Sequence, residues 1–328
     1  MKKDEILKRL RQDGGYVSGQ ELCEQYGVSR TAVWKAIKQL EKDGYTIEAV
    51  TNKGYRLVES GGEQLSQVGI DSYMDTQWVG RNLVFRRETG STNMDAKVLA
   101  EEGAPAGTLV VADMQTAGRG RRGRGWVSAA GLDIYMSLLL RPSCMPQQAS
   151  ALTLVMALAV LEAVRELASD GVGIKWPNDV VLNGKKLCGI LTEMSAEPDG
   201  IHYVVTGVGI NTNRTELDEE IRAHATSLII ETEQPVNRAR LIARVMYYYE
   251  KAYEAFACTW DLTGLMGRYN AFLVNMDREV RVLDPKGEYE GIARGINEKG
   301  ELIVERAGGA RELVYAGEVS VRGLYGYT

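Results

Sequence analysis

The chain of 328 residues is long enough for two or three domains. Its composition, 45% apolar and 25% charged, is that of an ordinary globular protein, and a net charge of −5 argues against a polyanion binder by bulk charge, so any nucleic-acid contact must be local. Four scattered cysteines without a C-x-x-C, and two histidines, argue against a zinc cluster and against a disulfide framework.

The N-terminal "MKKDEILKRL" lacks the apolar core of a signal peptide and reads as a helix with Ile6, Leu7 and Leu10 on one face. "SGQELCEQYG" opens with Ser18 and carries Glu21 three residues on, a capping-box pattern that Gly27 closes. A third helix starts at Ser29 and runs to Gly44 with an apolar stripe of Ala32, Val33, Ala36, Ile37 and Leu40. "YTIEAVTNKGYRLV" then alternates as two strands around Asn52-Lys53-Gly54. This order predicts a winged helix-turn-helix over residues 1–62, with its helix-turn-helix from Gly19 to Lys38. The first 60 residues hold 11 Lys+Arg against 9 Asp+Glu, whereas the remaining 268 hold 28 against 35. The positive excess falls where a DNA reader needs it. Ser29, Arg30 and Thr31 open the third helix, Lys35 and Lys38 follow on it, and Lys53 and Arg56 lie on the wing.

"ESGGEQLSQ" (59–67) reads as a polar linker. From 68 to 272 strands mix with helices. "TLVVADMQ" and "IYMSLLLRP" are buried strands, "QASALTLVMALAVLEAVRELAS" is one helix, and "DVVLNGKKLCGILTEMS" and "HYVVTGVGINT" are strands before the long helix "VNRARLIARVMYYYEKAYEAFA". This is an α+β pattern around a mixed sheet. The most apolar run, Ala151–Leu161, is shorter than the ~20 residues of a membrane span and reads as a buried helix. A cytoplasmic protein without membrane contact is expected. Residues 275–328 change to five short strands separated by "DPKGE", "NEKG" and "AGGA", a small SH3-like barrel.

The most distinctive stretch is "AGRGRRGRGW", Ala117–Trp126. It matches G-x-G-x-x-G, but a loop and a strand follow where a dinucleotide fold needs a helix, and the acidic residue due ~20 positions on is missing. A nucleic-acid patch is a second reading. The third, an anion-gripping loop, fits best. Glycines allow close backbone approach, successive N–H groups form a nest, and Arg119, Arg121, Arg122 and Arg124 supply forked donors suited to phosphate. Such a loop is expected to be mobile when empty. "GSTN" (Gly90–Asn93), Gln115, "KWPND" (Lys175–Asp179) and "GVGIN" (Gly207–Asn211) are further polar or glycine-containing clusters in apolar surroundings; an N-cap or a plain turn would explain the first and third singly.

Taken in order, "STN", "QTAGRGRRGRGW", "KWPND", "KKLCGILTE" and "GVGIN" resemble the biotin–protein ligases. With the winged helix and "YAGEVSVRG", the resemblance extends to the bifunctional biotin–protein ligase and biotin operon repressor family. It implies ATP-dependent activation of biotin to biotinyl-5′-AMP, followed by transfer to a lysine of a biotin carboxyl carrier protein of acetyl-CoA carboxylase or another carboxylase. It further implies Mg²⁺ with the ATP, no metal held by the protein alone, and biotinyl-5′-AMP as corepressor for a homodimer on operator DNA.

By the same resemblance Ser91, Thr92, Asn93, Gln115, Arg119, Gly120, Arg121, Lys175, Gly189 and Gly207 line the biotin and phosphate pocket. Arg121, Arg124, Trp126, Lys175, Asn178 and Asn211 take the nucleotide, with Trp126 on the adenine. Lys175 bridges biotin carboxylate and α-phosphate and, with Arg119, Arg121 and Asp179, carries the chemistry, by positioning and electrostatics. Two departures stand out: "GLDIY" where a Gly-Asn pattern is commoner, and Gly90 where an acid is frequent. A ligand sensor without catalysis, and a ligase for lipoate or octanoate, are the alternatives.

Overall fold

The computed structural model describes residues 3–58, 64–197, 200–284, 287–316 and 320–323. The expected linker over 59–63, the run 317–319 within "YAGEVSVRG", and the chain end 324–328 lie outside them.

Helices α1 (Lys3–Asp13), α2 (Gly19–Tyr26) and α3 (Arg30–Lys42) precede a hairpin of β1 (Thr46–Val50) and β2 (Gly54–Val58). The capping box forms as the sequence predicts: Ser18 Oγ accepts from the Glu21 amide and Glu21 accepts from the Ser18 amide. Gly27 then ends α2 in the left-handed conformation, φ 62°. Ile6, Leu7, Leu10, Leu22, Val33, Ile37 and Leu40 bury the three helical stripes in a separate core, which gives the unit the area to fold around.

The linker ends earlier than its composition predicts. Leu65 is buried, and Ser66 caps a helix α4 (Gln67–Tyr73) by accepting from the Gly69 amide. A polar-looking run hid one apolar anchor and one cap. This helix docks the winged helix onto the rest. The Arg11 guanidinium stacks 3.9 Å from the Tyr73 ring centre and donates to Ser72 Oγ, and Lys8 donates to the Met74 carbonyl at 3.0 Å.

The central sheet has seven strands in the order β3-β4-β5-β9-β8-β7-β6. They are β3 (Asn82–Thr89), β4 (Thr108–Gln115), β5 (Ile134–Leu140), β6 (Val172–Lys175), β7 (Asp179–Leu182), β8 (Lys185–Glu197) and β9 (Gly200–Ile210). Only β3 and β4 run parallel, joined by α5 (Thr92–Glu101). The single helix expected over 148–169 is two, α6 (Pro146–Ala149) and α7 (Leu152–Arg165), with a break at Ser150 and Ala151. The apolar run from Pro146 to Arg165 passes a length-and-composition test for a membrane span, yet α7 is buried almost all round, between the sheet and α9 (Arg238–Ala257). It is the helix of a protein core. Short helices α8 (Leu228–Thr232) and α10 (Met266–Ala271) complete this part.

The five C-terminal strands form as expected: β10 (Glu279–Leu283), β11 (Tyr289–Ile296), β12 (Leu302–Glu305), β13 (Arg311–Val314) and β14 (Ser320–Gly323). Their antiparallel order is β13-β12-β11-β10-β14. This sheet shares the central core rather than owning one, since Val280, Val282, Leu302 and Val304 pack with the central helices and strands. The Trp176 indole also donates to the Gly300 carbonyl at 3.0 Å.

Candidate active site

The Gly-Arg run leaves the end of β4 and folds back on itself. Gly120 N–H donates to the Arg124 carbonyl at 2.7 Å, and Trp126 N–H donates to the Gly118 carbonyl at 2.9 Å. A single 3₁₀ turn, Arg121–Gly123, forms its tip, with Arg122 at φ 60°. The loop therefore delivers its arginines from a hairpin-like strap, with no helix following Gly123.

A cavity of about 620 Å³ opens past Arg121 and Arg122 toward Tyr315, and beneath the loop lie two further adjoining cavities. The smaller, about 50 Å³, is bounded by Ser91, Thr92, Asn93 and Gln115, by Arg119, Gly120 and Arg121 of the loop, and by Gly189 and Gly207 on the β8–β9 floor. Its polar walls are fixed by one network. Gln115 Oε1 accepts from Thr92 N–H and Oγ1 at 2.9 and 3.1 Å, and Ser137 Oγ lies 2.7 Å from Thr92 Oγ1 and 2.6 Å from Asn93 Oδ1. Asn93 Nδ2 donates to Glu193 at 2.7 Å, and Glu193 also holds Lys97 at 2.6 Å. Ser91 starts α5 but makes no side-chain cap, so the N-cap explanation of "GSTN" fails for its hydroxyl.

The larger cavity, about 520 Å³, is lined by Arg121, Arg122, Arg124, Lys175, Lys186, Arg214 and Arg322 against one carboxylate, Asp179. Trp126, Asn178 and Asn211 line it as well. Seven cations around one acid create a potential suited to a polyphosphate. "KWPND" makes the turn from β6 to β7 through a cis Trp176–Pro177 bond and sets Lys175 opposite Asp179 across the strand pair. Lys175 is only 7% exposed, and burial pulls its ammonium down to about 8 against the opposing pull of Asp179. Burial likewise lowers the Arg121 guanidinium, with Asp179 countering. Arg121 donates to Asn178 Oδ1 at 3.0 Å and to the Ala316 carbonyl at 2.8 Å, clasping the loop to the C-terminal sheet. Asn211 donates from its side chain to the Thr226 carbonyl at 2.9 Å.

Two placements add to the sequence reading. Lys175, expected to bridge biotin carboxylate and α-phosphate, lines the large cavity. Lys186 lines both cavities, sits 2.7 Å from Asp179 Oδ1 and lies 5.5 Å from the Trp126 ring centre. "KKLCGILTE" contained it, but β8 carries a bulge where Val180 faces Cys188 and Val181 faces Lys186, and period-two counting cannot see which side chain a bulge re-aims. Trp126, expected on the adenine, lines the large cavity and the small one as well. A Cβ on Gly209 would come within 2.5 Å of its ring, so only glycine lets the indole lie on the floor. Its Nε1 is buried and finds no acceptor among the described residues.

On the winged helix, Arg30, Thr31, Lys35 and Lys38 share the exposed face of α3. Ser29 is occupied as N-cap, accepting from Ala32 N–H at 3.3 Å. Lys38 pairs with Glu41 and Arg56 with Glu48, each at 2.7 Å, so two of the expected phosphate cations are already partnered. Trp34, 52% exposed on the same face, was missed because an aromatic in an amphipathic helix reads as core.

A winged helix joined to a mixed sheet, with a cationic double cavity under a Gly-Arg loop, defines a ligand-activating enzyme fused to a DNA-binding module. Family models match accordingly: an HTH domain over 2–56, the biotin/lipoate A/B protein ligase family over 85–211, and the biotin protein ligase C-terminal domain over 276–322. The chain is 39% identical over 324 residues to the bifunctional ligase/repressor BirA of Bacillus subtilis, covering 98% of each, and 32% identical over 316 residues to that of Escherichia coli, covering 96% of each. The biotin protein ligase of Aquifex aeolicus, solved in complex with biotin and ATP, superposes with a TM-score of 0.65 at 32% identity, over 74% of this chain and 99% of that one. The chain belongs to the bifunctional biotin ligase/repressor family.

Proposed function

We propose that this chain joins biotin to ATP and transfers the biotinyl group to a carrier-protein lysine, and that its adenylate-bound form represses transcription. The observation that carries the reading is Lys186, held by Asp179 at the junction of the two cavities. Biotin takes the small, hydrogen-bonding cavity once its wall opens, and the nucleotide takes the large cationic one. A biotin carboxylate oxygen attacks the α-phosphorus, the bond to the β-phosphate oxygen breaks, and pyrophosphate leaves. The carrier lysine amine then attacks the acyl carbon, and AMP leaves with the bonding pair.

Both reactants are anions, so the protein's work is to align them and offset their repulsion. Lys186 and Arg121 neutralise the junction, while Lys175, Arg122 and Arg124 hold the outer phosphates. Asp179 positions Lys186. Ser91, Thr92, Asn93, Gln115, Arg119, Gly120, Gly189 and Gly207 surround biotin; Trp126, Asn178 and Asn211 surround the nucleoside. The small cavity requires Trp126 to swing off Gly209 when biotin enters, and the buried Nε1, without an acceptor among the described residues, offers no hydrogen bond against that movement. Mg²⁺ fits the site chiefly as a companion of the phosphates, since Asp179 is the one carboxylate among the described lining residues. Bound there, it would neutralise the leaving pyrophosphate.

The rest follows by linkage. If the adenylate favours the loop conformation that dimerises, it favours operator binding equally. From Thr192 to Glu197, β8 pairs with β9 alone and leaves an open edge, which supports a homodimer, or a carrier protein competing for the same edge. The cytoplasm is where carrier, operator and reduced thiols coincide. Incubation with biotin, ATP, Mg²⁺ and a carrier domain tests the reading by mass spectrometry. One biotinyl amide per carrier supports it, and an unmodified carrier refutes it.

A further inference from the structure

Val127, Ser128 and Ala129, which follow Trp126, belong to no helix or strand, and their amides make no backbone hydrogen bond among the described residues. Side chains hold them instead, and two of those converge on one acid. Asp133 is fully buried. Its Oδ2 accepts from Arg214 Nη2 at 2.7 Å and Nε at 3.0 Å, and the same Nη2 donates to the Val127 carbonyl at 3.3 Å. The Tyr135 hydroxyl sits 3.2 Å from Oδ2 and 3.1 Å from the Ala129 carbonyl, its one proton shared between them. Asp133 Oδ1 accepts from the Thr212 amide at 2.9 Å, next in chain to Asn211.

The carboxylate therefore connects two walls of the large cavity. One is the strap bearing Trp126; the other is the segment bearing Asn211. Arg214 is itself a lining residue, yet it spends its guanidinium on Asp133 and Val127. A buried ion pair is weak evidence for stability, because apolar residues of similar volume often serve as well. Its geometry here gives it another use: a planar fork can hold a carboxylate and a carbonyl at once, which fixes a segment that has no regular structure.

We propose that Asp133 is a positioning residue for nucleotide binding, acting through Arg214 and Tyr135 on the Trp126 strap. The proposal rests on the adenylating reading above. Asp133 does not line either cavity, and the biotin walls are fixed chiefly by Thr92, Gln115 and Ser137, which meet the strap at one point, where Gln115 Nε2 donates to Ser128 Oγ at 3.1 Å. Because Trp126 lines both cavities, the tie should act on ATP most and on biotin less.

Two variants separate positioning from folding. Asp133→Asn leaves a buried guanidinium without its anion and is expected to lower Tm as well as ATP affinity. The pair Asp133→Asn with Arg214→Met removes the stranded charge and is expected to recover Tm without recovering the strap. In that double variant, exchange of the Trp126 amide, which the Gly118 carbonyl holds at 2.9 Å, is expected to accelerate. Because Arg214 itself lines the cavity, KM for ATP is read in Tyr135→Phe, which frees the Ala129 carbonyl; there it is expected to rise about tenfold, and biotin Kd in the absence of nucleotide to rise less. Unchanged exchange in the double variant would overturn the proposal, as would a biotin affinity that falls as far as that for ATP. A wild-type protein that forms no adenylate would overturn the ligase reading and, with it, the ATP arm. Exchange, read without ligands, then decides the tie alone.

Discussion

The Lys186 ammonium lies 2.7 Å from the Asp179 carboxylate, at the point where a small hydrogen-bonding cavity meets a large cationic one. Lys175, ten residues or so upstream and opposite Asp179 across the strand pair, reaches only the large cavity. The two lysines are expected to separate kinetically. Lys186→Gln removes charge from the junction and is expected to slow adenylate formation by about 10²–10³-fold, the scale set by removing one preorganised donor to a developing oxyanion. Lys175→Gln is expected to raise KM for ATP more than KM for biotin. Pyrophosphate release with each substrate varied in turn checks both; equal KM effects for Lys175→Gln contradict the division.

Burial holds Lys175 down to about 8, below its ordinary 10.5, which gives a pH signature. Its charge is lost as pH rises through about 8, so ATP affinity is expected to weaken across that point, and Lys175→Gln to flatten the profile. Stability moves the other way. Below the folded value both states carry the proton, and the folded state bears the cost of a buried charge. Between the folded and unfolded values only the unfolded state keeps the proton, so this group's contribution to stability rises with pH across that window. Lys175→Met is thus expected to raise Tm at neutral pH, with the gain shrinking in alkaline buffer. A constant difference between the two melts counts against a buried ammonium.

The β8–β9 floor depends on two close approaches. A Cβ on Gly207 would collide with the Asn93 amide, which Ser137 and Glu193 hold in place. A Cβ on Gly209 would come within 2.5 Å of the Trp126 ring, which stands on a strap. Gly207→Ala is expected to weaken biotin binding about tenfold or more and to lower Tm, because its neighbour cannot yield. Gly209→Ala is expected to displace the indole with a smaller loss of Tm. Calorimetric titration with biotin, alongside thermal melts, ranks the two; a larger Tm loss for Gly209→Ala reverses the inference.

On the DNA side, cations without a carboxylate partner are expected to matter most. Lys35→Ala and Lys53→Ala should each reduce the salt slope of operator affinity by about 1. Lys38→Ala and Arg56→Ala should do less, since Glu41 and Glu48 already hold those charges. Anisotropy titrations of an operator duplex at several salt concentrations measure the slopes, and equal slopes for all four contradict the ranking.

Much of this was legible in the chain. The capping box of Ser18 and Glu21, the Asn52-Lys53-Gly54 turn and the five C-terminal strands form where local chemistry puts them, because turns and caps are decided within a few residues. Ser91, Thr92, Asn93, Gln115, Arg119, Gly120, Arg121, Gly189 and Gly207 meet around one cavity. Lys186 was hidden by a bulge, which shifts side-chain direction without a mark in the alternation. The Asp133–Arg214 tie was hidden by distance: 81 positions separate its halves, and nothing local in "GLDIY" announces a buried cation partner.

The most direct measurement incubates the protein with biotin, ATP and Mg²⁺ but no carrier, then extracts what it holds. A ligase built around Lys186 retains one biotinyl-5′-AMP per active site and releases one pyrophosphate, and Lys186→Gln does so about 10²–10³-fold more slowly. If biotin and ATP bind together yet neither adenylate nor pyrophosphate forms, the chain is a ligand sensor, and the chemistry assigned to its two cavities is wrong.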